Sequence, residues 1–416
     1  MLRVEEALER ILADITRLEP ENVALPEAAG RVLAQAIASQ EEVPPFANSA
    51  MDGYALRSSD TQEATPQGPR RLRLVGIVQA GQVAKRPLEA GEAMRILTGA
   101  PVPPGADAVI QQELTQTGGS GTRATNGSEA EGWVEVQAPV ARWNNIRHPG
   151  EDIRRGTRVL AEGAILGPSE IGVLASLGVA EVVVYRRPVV AILATGDELV
   201  EIHQALRPGQ IRNSNSYLIA AAVAAAGGIP RRLGIARDQV EELRAKLQAA
   251  QEADLIITSG GVSVGDYDLV KDIMREQGVI DFWRVNLKPG KPLAFGRLGG
   301  TPLLGLPGNP VSAAVTFELF ARPVLRKMQG FAQVLRPVVQ ARLLDSAPEG
   351  GNRRHYVRAH VALQDGVFVA RTTGPQDSHI LTSMVGANAL LVIPENSPSI
   401  PPGEVVQSML LVDGLA

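Results

Sequence analysis

The chain of 416 residues contains no cysteine, which excludes disulfide bonds, thiolate metal ligands and cysteine nucleophiles. Aromatic residues make up only 4%, too few for a base-stacking surface. The longest apolar stretch, residues 217–226, is too short to span a bilayer, and the acidic, helix-spaced start does not have the pattern of a signal peptide. A formal net charge of −4 gives no general attraction to nucleic acid or membranes. These absences favour a cytoplasmic protein without nucleic-acid or membrane partners.

A chain of this length is expected to form two to four domains. Residues 1–45 have apolar residues at helical spacing and predict helices. Residues 46–140 carry short β-like runs between Gly/Pro turns, which predicts a small inserted β domain. Residues 141–187 return to a mixed pattern, with a short helix after Pro168. We expect 1–45 and 141–187 to pack together as an elongated linker domain around the insertion.

Residues 188–330 alternate between buried strands and helices, which predicts a doubly wound, mostly parallel α/β domain. The predicted strands and helices are Val189–Ala194, Ser214–Ala226, Val240–Ala250, Leu255–Thr258, Leu303–Leu306 and a helix capped by Asn309 with Pro310 at its first position. Residues 331–416 predict a β barrel or sandwich. The fold class is therefore α/β plus β, in several domains.

The sequence SGGVSVGDYD, residues 259–268, lies between a predicted buried strand and a predicted helix. Such a loop offers free backbone N–H groups to an anion, and Gly260, Gly261 and Gly265 let the backbone approach it. Asp266 and Asp268 then place carboxylates where Mg²⁺ would be useful. The loop predicts a site for a phosphorylated ligand and a divalent ion. The alternative is a turn with two capping aspartates.

Seven motifs occur together along the chain. They are PPFANSAMDGYA (44–55), RILTGAPVPPGADAVIQQE (95–113), NIRHPGEDI (145–153), ATGDELV (194–200), the 259–268 loop, LKPGKPLAFG (287–296) and LPGNPVSAAVTFE (306–318). In this order they closely resemble the molybdopterin molybdenumtransferase, or molybdenum insertase, family, to which the gephyrin E domain is related. The resemblance covers essentially the whole chain.

The resemblance implies an enzyme that inserts molybdenum from molybdate into adenylylated molybdopterin, releasing AMP and forming molybdenum cofactor, with Mg²⁺ promoting the step. It also implies four domains, one of the molybdopterin-binding type, and a homodimer. The active site would lie between that domain of one subunit and the inserted domain of the other. Molybdopterin adenylyltransferase and molybdoenzymes would be further partners.

The catalytic residues implied by the resemblance are Asp52, Thr98, Asp152, Glu198 and Asp268, with Arg147 grouped beside Asp152. Glu198 and Asp268 are also the predicted Mg²⁺ ligands. Several have ordinary structural alternatives, because an Asp-Gly pair is a common turn and Thr98 could cap one.

The binding residues implied by the resemblance surround a nucleotide and an oxyanion. Molybdate, a tetrahedral dianion, needs cations and N–H or O–H donors. Lys288 and Lys291 flank a stiff Pro-Gly turn, although two lysines can also form a solvated face. The full predicted set is Ser259, Gly260, Gly261, Ser263, Gly265, Asp266, Lys288, Lys291, Pro307, Gly308, Asn309, Ser312, Arg353, Ser378 and Ser383.

Some choices within that set remain open. Arg354 or Arg358 could replace Arg353, and either Ser378 or Ser383 could serve. The five histidines form no spaced cluster, so no histidine metal site is predicted. Three other functions also remain open: a related adenylyltransferase or nucleotide hydrolase, a non-catalytic scaffold, and a tungsten-inserting form of the same enzyme.

Overall fold

A computed structural model describes residues 1–118, 132–237, 239–261, 273 and 278–412. Within these ranges, no helix combines the length and hydropathy needed to cross a membrane. The chain divides into two units. The first unit comprises Met1–Gln35, Gly163–Gly167 and Glu181–Ala416, and the second comprises Ala36–Glu162 and Pro168–Ala180. The four-domain division stays a prediction.

The part of the chain before residue 188 is mainly β structure. Its helices are α1 (Val4–Asp14) and α2 (Pro168–Ser176). Its strands are β1 (Pro20–Ala24), β2 (Ile37–Ala38), β3 (Asn48–Ser49), β4 (Gly53–Leu56), β5 (Arg70–Val78), β6 (Glu92–Ile96), β7 (Ala108–Gln111), β8 (Thr115–Gly118), β9 (Gly132–Val136), β10 (Ile146–Arg147), β11 (Arg158–Leu160) and β12 (Glu181–Tyr185).

Only the first part of the helical prediction for residues 1–45 is correct. Helix α1 buries Val4, Ala7 and Ile11, as its spacing indicates. After Asp14 the prediction is wrong, because β1 pairs antiparallel with β12 and takes its backbone hydrogen bonds there. The second unit holds the predicted small β fold, a six-stranded sheet in the order β7-β4-β6-β5-β9-β8.

A second six-stranded sheet, in the first unit, carries the α/β fold. Its order is β16-β13-β17-β21-β20-β18, with parallel pairing from β16 to β21 and antiparallel pairing beyond. The strands of this region are β13 (Val189–Thr195), β14 (Leu199–Val200), β15 (Ile211–Arg212), β16 (Ile229–Ala236), β17 (Leu255–Ser259), β18 (Gly278–Arg284), β19 (Leu287–Lys288), β20 (Pro292–Leu298) and β21 (Thr301–Leu306).

Helices cover both faces of this sheet, which confirms the doubly wound prediction. They are α3 (Ser214–Ala225), α4 (Val240–Ala250), α5 (Pro310–Thr316) and α6 (Arg322–Met328), with a π-helical turn at Phe317–Ala321 joining the last two. One core packs α1, α3, α5 and α6 against the sheet, and another packs α4 against its opposite face. Burial on both faces explains the apolar runs of β13 and β17.

The C-terminal strands close into a five-stranded barrel, because β23 pairs with both β24 and β25. They are β22 (Val338–Leu343), β23 (Arg354–Gln364), β24 (Val367–Thr372), β25 (Ala389–Ile393) and β26 (Val405–Leu410), with α7 (Thr382–Val385) between β24 and β25. Strand β19 adds to β23 in parallel, pairing Lys288 with His355. This pairing joins the barrel to the α/β sheet.

A buried arginine fixes the barrel loop that follows β24. Arg358 has 0% exposure, and its guanidinium donates to the carbonyls of Pro375, Gln376 and Asp377 at 3.1 Å each. Its Nε donates to Ser383 Oγ at 3.0 Å. One side chain therefore donates to three consecutive carbonyls of this loop.

Replacing Arg358 with Met should lower the stability of the first unit. The change removes four hydrogen bonds from a fully buried guanidinium and leaves the carbonyls of Pro375 and Gln376 without this donor, at a cost of about 2 kcal/mol. Thermal unfolding followed by circular dichroism measures the effect. Arg371→Met, at an exposed position of β24, is the matched control and should unfold like the wild type. Equal melting temperatures for both variants would contradict this role for Arg358.

Candidate functional site

The first unit contains a cleft of about 760 Å³ at the carboxyl ends of the parallel strands. Ligands of open α/β sheets bind at this edge. The cleft is lined by Glu198, Ile211, Gly260, Gly261, Lys288, Pro289, Gly290, Lys291, Pro292, Pro307, Gly308, Asn309, Ser312, Pro348, Arg353, His355, Gln376, Asp377 and Ser378. Most of the predicted oxyanion residues therefore lie around one cavity.

On the side of the cleft formed by the α/β sheet, the backbone at the ends of β13 and β17 is closely packed. Gly260 has φ +86°, and a Cβ there would lie 2.7 Å from the carbonyl oxygen of Thr195, so only glycine fits. Asn215 Nδ2 donates to both Ser259 Oγ and the carbonyl of Gly308 at 2.8 Å. This amide joins two of the predicted Gly-rich loops. Ser259 itself is buried and does not line the cleft.

Three cations form the opposite wall. Lys288 and Lys291 flank a turn that packs tightly on α5, since a Cβ at Gly290 would lie 2.6 Å from Thr316 Cγ2. Arg353 lies beside this turn through the pairing of β19 with β23. Within the described ranges, no side-chain hydrogen bond or ion pair involves any of the three cations. Their charge is therefore available to an anion.

The start of α5 and the barrel loop complete this wall. The N–H of Val311 donates to the carbonyl of Ser378 at 3.2 Å, which holds the loop against the helix. Ser312 and Ser378 line the cleft beside it. The predicted side-chain cap at Asn309 is wrong, because only its carbonyl accepts, from Ala313 N at 2.9 Å. The Asn309 side chain lines the cleft instead.

The structure separates the alternatives around Arg353. Arg353 lines the cleft, whereas Arg354 pairs with Glu5 and, at 3.5 Å, with Glu395. Arg358 holds the barrel loop and takes Ser383 as a partner. Ser378 therefore lies at the cleft and Ser383 does not.

Glu198 lines the cleft with an exposed carboxylate that folds back over Gly196. In the described part of the chain it has no ion pair, and no three His, Asp or Glu side chains form a metal cluster. Mg²⁺ is usually held by one or two carboxylates and substrate phosphates, so Glu198 fits such an ion. The other predicted loop residues, Ser263, Gly265, Asp266 and Asp268, lie outside the described residues.

Sequence reasoning missed His355, which is 1% exposed and lines the cleft. Burial, together with the positive charges of Lys288, Arg358 and Arg353, lowers the pKa of His355 to about 4. The available signal was its position two residues after Arg353, which puts both side chains on one face of an extended strand. Gln376 and Asp377 were also missed.

The remaining predicted catalytic residues lie in the second unit. Thr98 donates to Asp52 Oδ1 from its backbone N at 2.7 Å and from Oγ1 at 2.8 Å. These two bonds, the backbone one first, lower the pKa of the exposed Asp52 carboxyl. Arg147 and Asp152 are exposed in the same unit, and no described contact joins either of them to Asp52.

Family models match three parts of the chain. Residues 2–178 match "MoeA N-terminal region (domain I and II)", residues 191–327 match "Probable molybdopterin binding domain", and residues 340–411 match "MoeA C-terminal region (domain IV)".

Curated relatives match over nearly the whole length. Molybdopterin molybdenumtransferase 2 of Mycobacterium tuberculosis H37Rv is 39% identical over 98% of this chain and 99% of its own. Molybdopterin molybdenumtransferase of Haemophilus influenzae is 37% identical over 98% of both chains. A crystal structure of the molybdopterin biosynthesis moea protein from Pyrococcus horikosii superposes with a TM-score of 0.82, at 32% identity over 100% of both chains.

Proposed function

The chain belongs to the molybdopterin molybdenumtransferase family, transferases of molybdenum cofactor biosynthesis, and we propose that it inserts molybdenum from molybdate into adenylylated molybdopterin, releasing AMP. The observation that supports this reaction most directly is the cationic wall of the cleft. Lys288, Lys291 and Arg353 share it and have no described side-chain partner. A cleft with this excess of positive charge suits a dianion.

The wall offers several kinds of donor to a tetrahedral oxyanion. The two lysines supply ammonium groups, and Arg353 can bind two oxygens through its planar fork. Ser312 of α5 and Ser378 of the barrel loop also line the cleft and could add hydroxyl donors. Charged donors fixed in a partly enclosed cleft lose little energy to reorganisation when the reaction occurs.

The carboxyl ends of the strands would bind the nucleotide part of the substrate. The backbone at Gly260 and Gly261 would receive the phosphates of adenylylated molybdopterin. Glu198, with Asp268 as the second predicted ligand, would hold Mg²⁺, which when bound offsets phosphate charge. An oxygen of molybdate or water would attack the phosphoanhydride, with AMP or molybdopterin phosphate leaving. The protein's contribution is positioning and electrostatic stabilisation.

The proposal is tested by incubating the protein with adenylylated molybdopterin, Mg²⁺ and molybdate, and following AMP and cofactor together. We expect AMP release that depends on molybdate, with stoichiometric cofactor. Parallel reactions with tungstate test the tungsten-inserting alternative. AMP release that is independent of either oxyanion would indicate a nucleotide hydrolase instead.

Lys291→Ala should raise the molybdate concentration needed for half-maximal rate by about tenfold, since losing one charge-assisted contact costs roughly 1.4 kcal/mol. Binding of the adenylylated pterin should change less, because the loop amides remain. The measurement is a molybdate titration at saturating pterin. Arg371→Ala removes an exposed barrel cation of the same charge and is the control. An unchanged half-saturation in Lys291→Ala would make it a surface lysine.

Glu198→Gln keeps size but removes the charge proposed to hold Mg²⁺. AMP release at saturating substrates should fall at least about tenfold, the effect of roughly 1.4 kcal/mol on the barrier. Raising the Mg²⁺ concentration should recover part of the rate. Glu9→Gln, on the exposed side of α1, controls for loss of a carboxylate. Wild-type turnover and Mg²⁺ dependence in Glu198→Gln would remove it from the reaction.

We also propose a cytoplasmic homodimer whose active site is shared between subunits, with molybdopterin adenylyltransferase and molybdoenzymes as further partners. The support is the family resemblance and the placement of Asp52 and Thr98 in the second unit, away in sequence from the cleft residues. In this arrangement, Asp52 of one subunit would serve the cleft of the other. Asp152 would belong to the same group.

Subunit complementation tests the shared site. Mixing Asp52→Asn subunits with Glu198→Gln subunits gives heterodimers in which one site carries both changes and the other carries neither. Random exchange makes about half of the dimers mixed, so roughly a quarter of all sites should be intact. Activity should recover to about that fraction. If exchange is demonstrated and no activity returns, both residues act within one subunit.

A further inference from the structure

The imidazole of His355 forms part of the cleft wall with one nitrogen in use and the other free. Nδ1 lies 3.4 Å from the carbonyl oxygen of Glu349. A carbonyl can only accept, so this contact places the proton on Nδ1 and leaves a lone pair on Nε2. Nε2 is buried and has no hydrogen-bond partner among the described residues. A buried polar atom without a hydrogen-bond partner costs about 1–3 kcal/mol of stability. A ligand in the cleft that forms a hydrogen bond with Nε2 would remove this cost.

The charges around His355 keep its ring neutral in the free protein. Lys288 pairs with it from strand β19, Arg358 lies on its own strand β23, and Arg353 immediately precedes that strand. The cleft also holds Lys291, and its acids are Glu198 and Asp377. With burial, the three nearby cations make protonation unfavourable, in line with a pKa of about 4.

A bound oxyanion would oppose this field. A dianion would offset two of the three positive charges, and its oxygens would repel a bare lone pair on Nε2 while attracting an N–H. We propose that His355 takes up one proton from solvent when an oxyanion enters the cleft, so that Nε2–H donates a hydrogen bond to the anion. The imidazole becomes imidazolium, and no other bond forms or breaks. The inference rests on the oxyanion-binding role proposed above.

The direction of the pH dependence follows from linkage. Oxyanion binding raises the pKa of His355 above its value in the free protein, so between the two values binding consumes a proton and affinity weakens as pH rises. Above the pKa of the bound state the coupling disappears. Molybdate affinity at pH 6 should therefore exceed that at pH 7, by up to about tenfold for the uptake of one proton.

Titration calorimetry of the full-length protein with micromolar molybdate tests this without the pterin substrate. At pH 6, two buffers of different ionisation enthalpy give the number of protons taken up. We expect net uptake for the wild type and none for His355→Asn or His355→Gln. His360→Asn, an exposed position on the same strand, is the control and should keep the uptake. Nitrogen-15 NMR of labelled histidine should show Nε2 of wild-type His355 becoming protonated when molybdate is added.

Several results would overturn the proposal. These are no molybdate binding, binding without proton uptake, uptake that persists in both His355 variants, or an Nε2 signal that stays unprotonated. A titration with sulfate, which remains a dianion at pH 6, distinguishes protonation of His355 from protonation of the bound anion. If sulfate binds without proton uptake, the proton taken up with molybdate is on the molybdate and not on His355. The two proposals fail separately. Proton-coupled binding without AMP release would contradict only the reaction, and AMP release without coupling would contradict only the role of His355.

Discussion

The proposed site depends on holding three like charges, those of Lys288, Lys291 and Arg353, together in one cleft, where no carboxylate of the described residues forms an ion pair with them. Two like charges about 8 Å apart repel by about 2 kcal/mol at an effective dielectric constant near 20, so the fold must hold them in place. Backbone contacts hold the two lysines in place. The pairing of β19 with β23 fixes the backbone of Lys288, and the turn at Gly290, which precedes Lys291, packs on α5. A bound dianion would relieve this repulsion, which is why we propose that the cleft binds one.

The same pairing joins the two folds that build the cleft. The α/β sheet contributes strand ends with little side chain, where Gly260 brings backbone close to a ligand. The barrel contributes Arg353, His355 and the loop that Arg358 holds in place. Two arginines of one segment therefore differ in their surroundings. Arg358 is buried and holds the barrel loop by hydrogen bonds, whereas Arg353 lines the cleft, where we propose that it binds the oxyanion.

The parts of the cleft whose structure is set by local sequence could be predicted. These are the Pro-Gly turn between Lys288 and Lys291 and the glycines that follow β17, because proline and glycine restrict or permit particular backbone conformations wherever they occur. The choice among Arg353, Arg354 and Arg358 could not be made, because it depends on strand register and barrel closure, and one residue's shift reverses the face. The helical prediction for residues 15–45 was wrong for a similar reason, because β1 is stabilised by pairing with β12, about 160 residues away in the sequence.

The central claim is that an oxyanion binds between Lys288, Lys291 and Arg353. The most direct measurement is a crystal structure of the protein with molybdate, using anomalous scattering from molybdenum to locate the metal independently of the protein atoms. We expect a single strong peak within hydrogen-bonding reach of these three side chains and of His355 Nε2. A peak at another site, with the cleft holding only water at saturating molybdate, would contradict it.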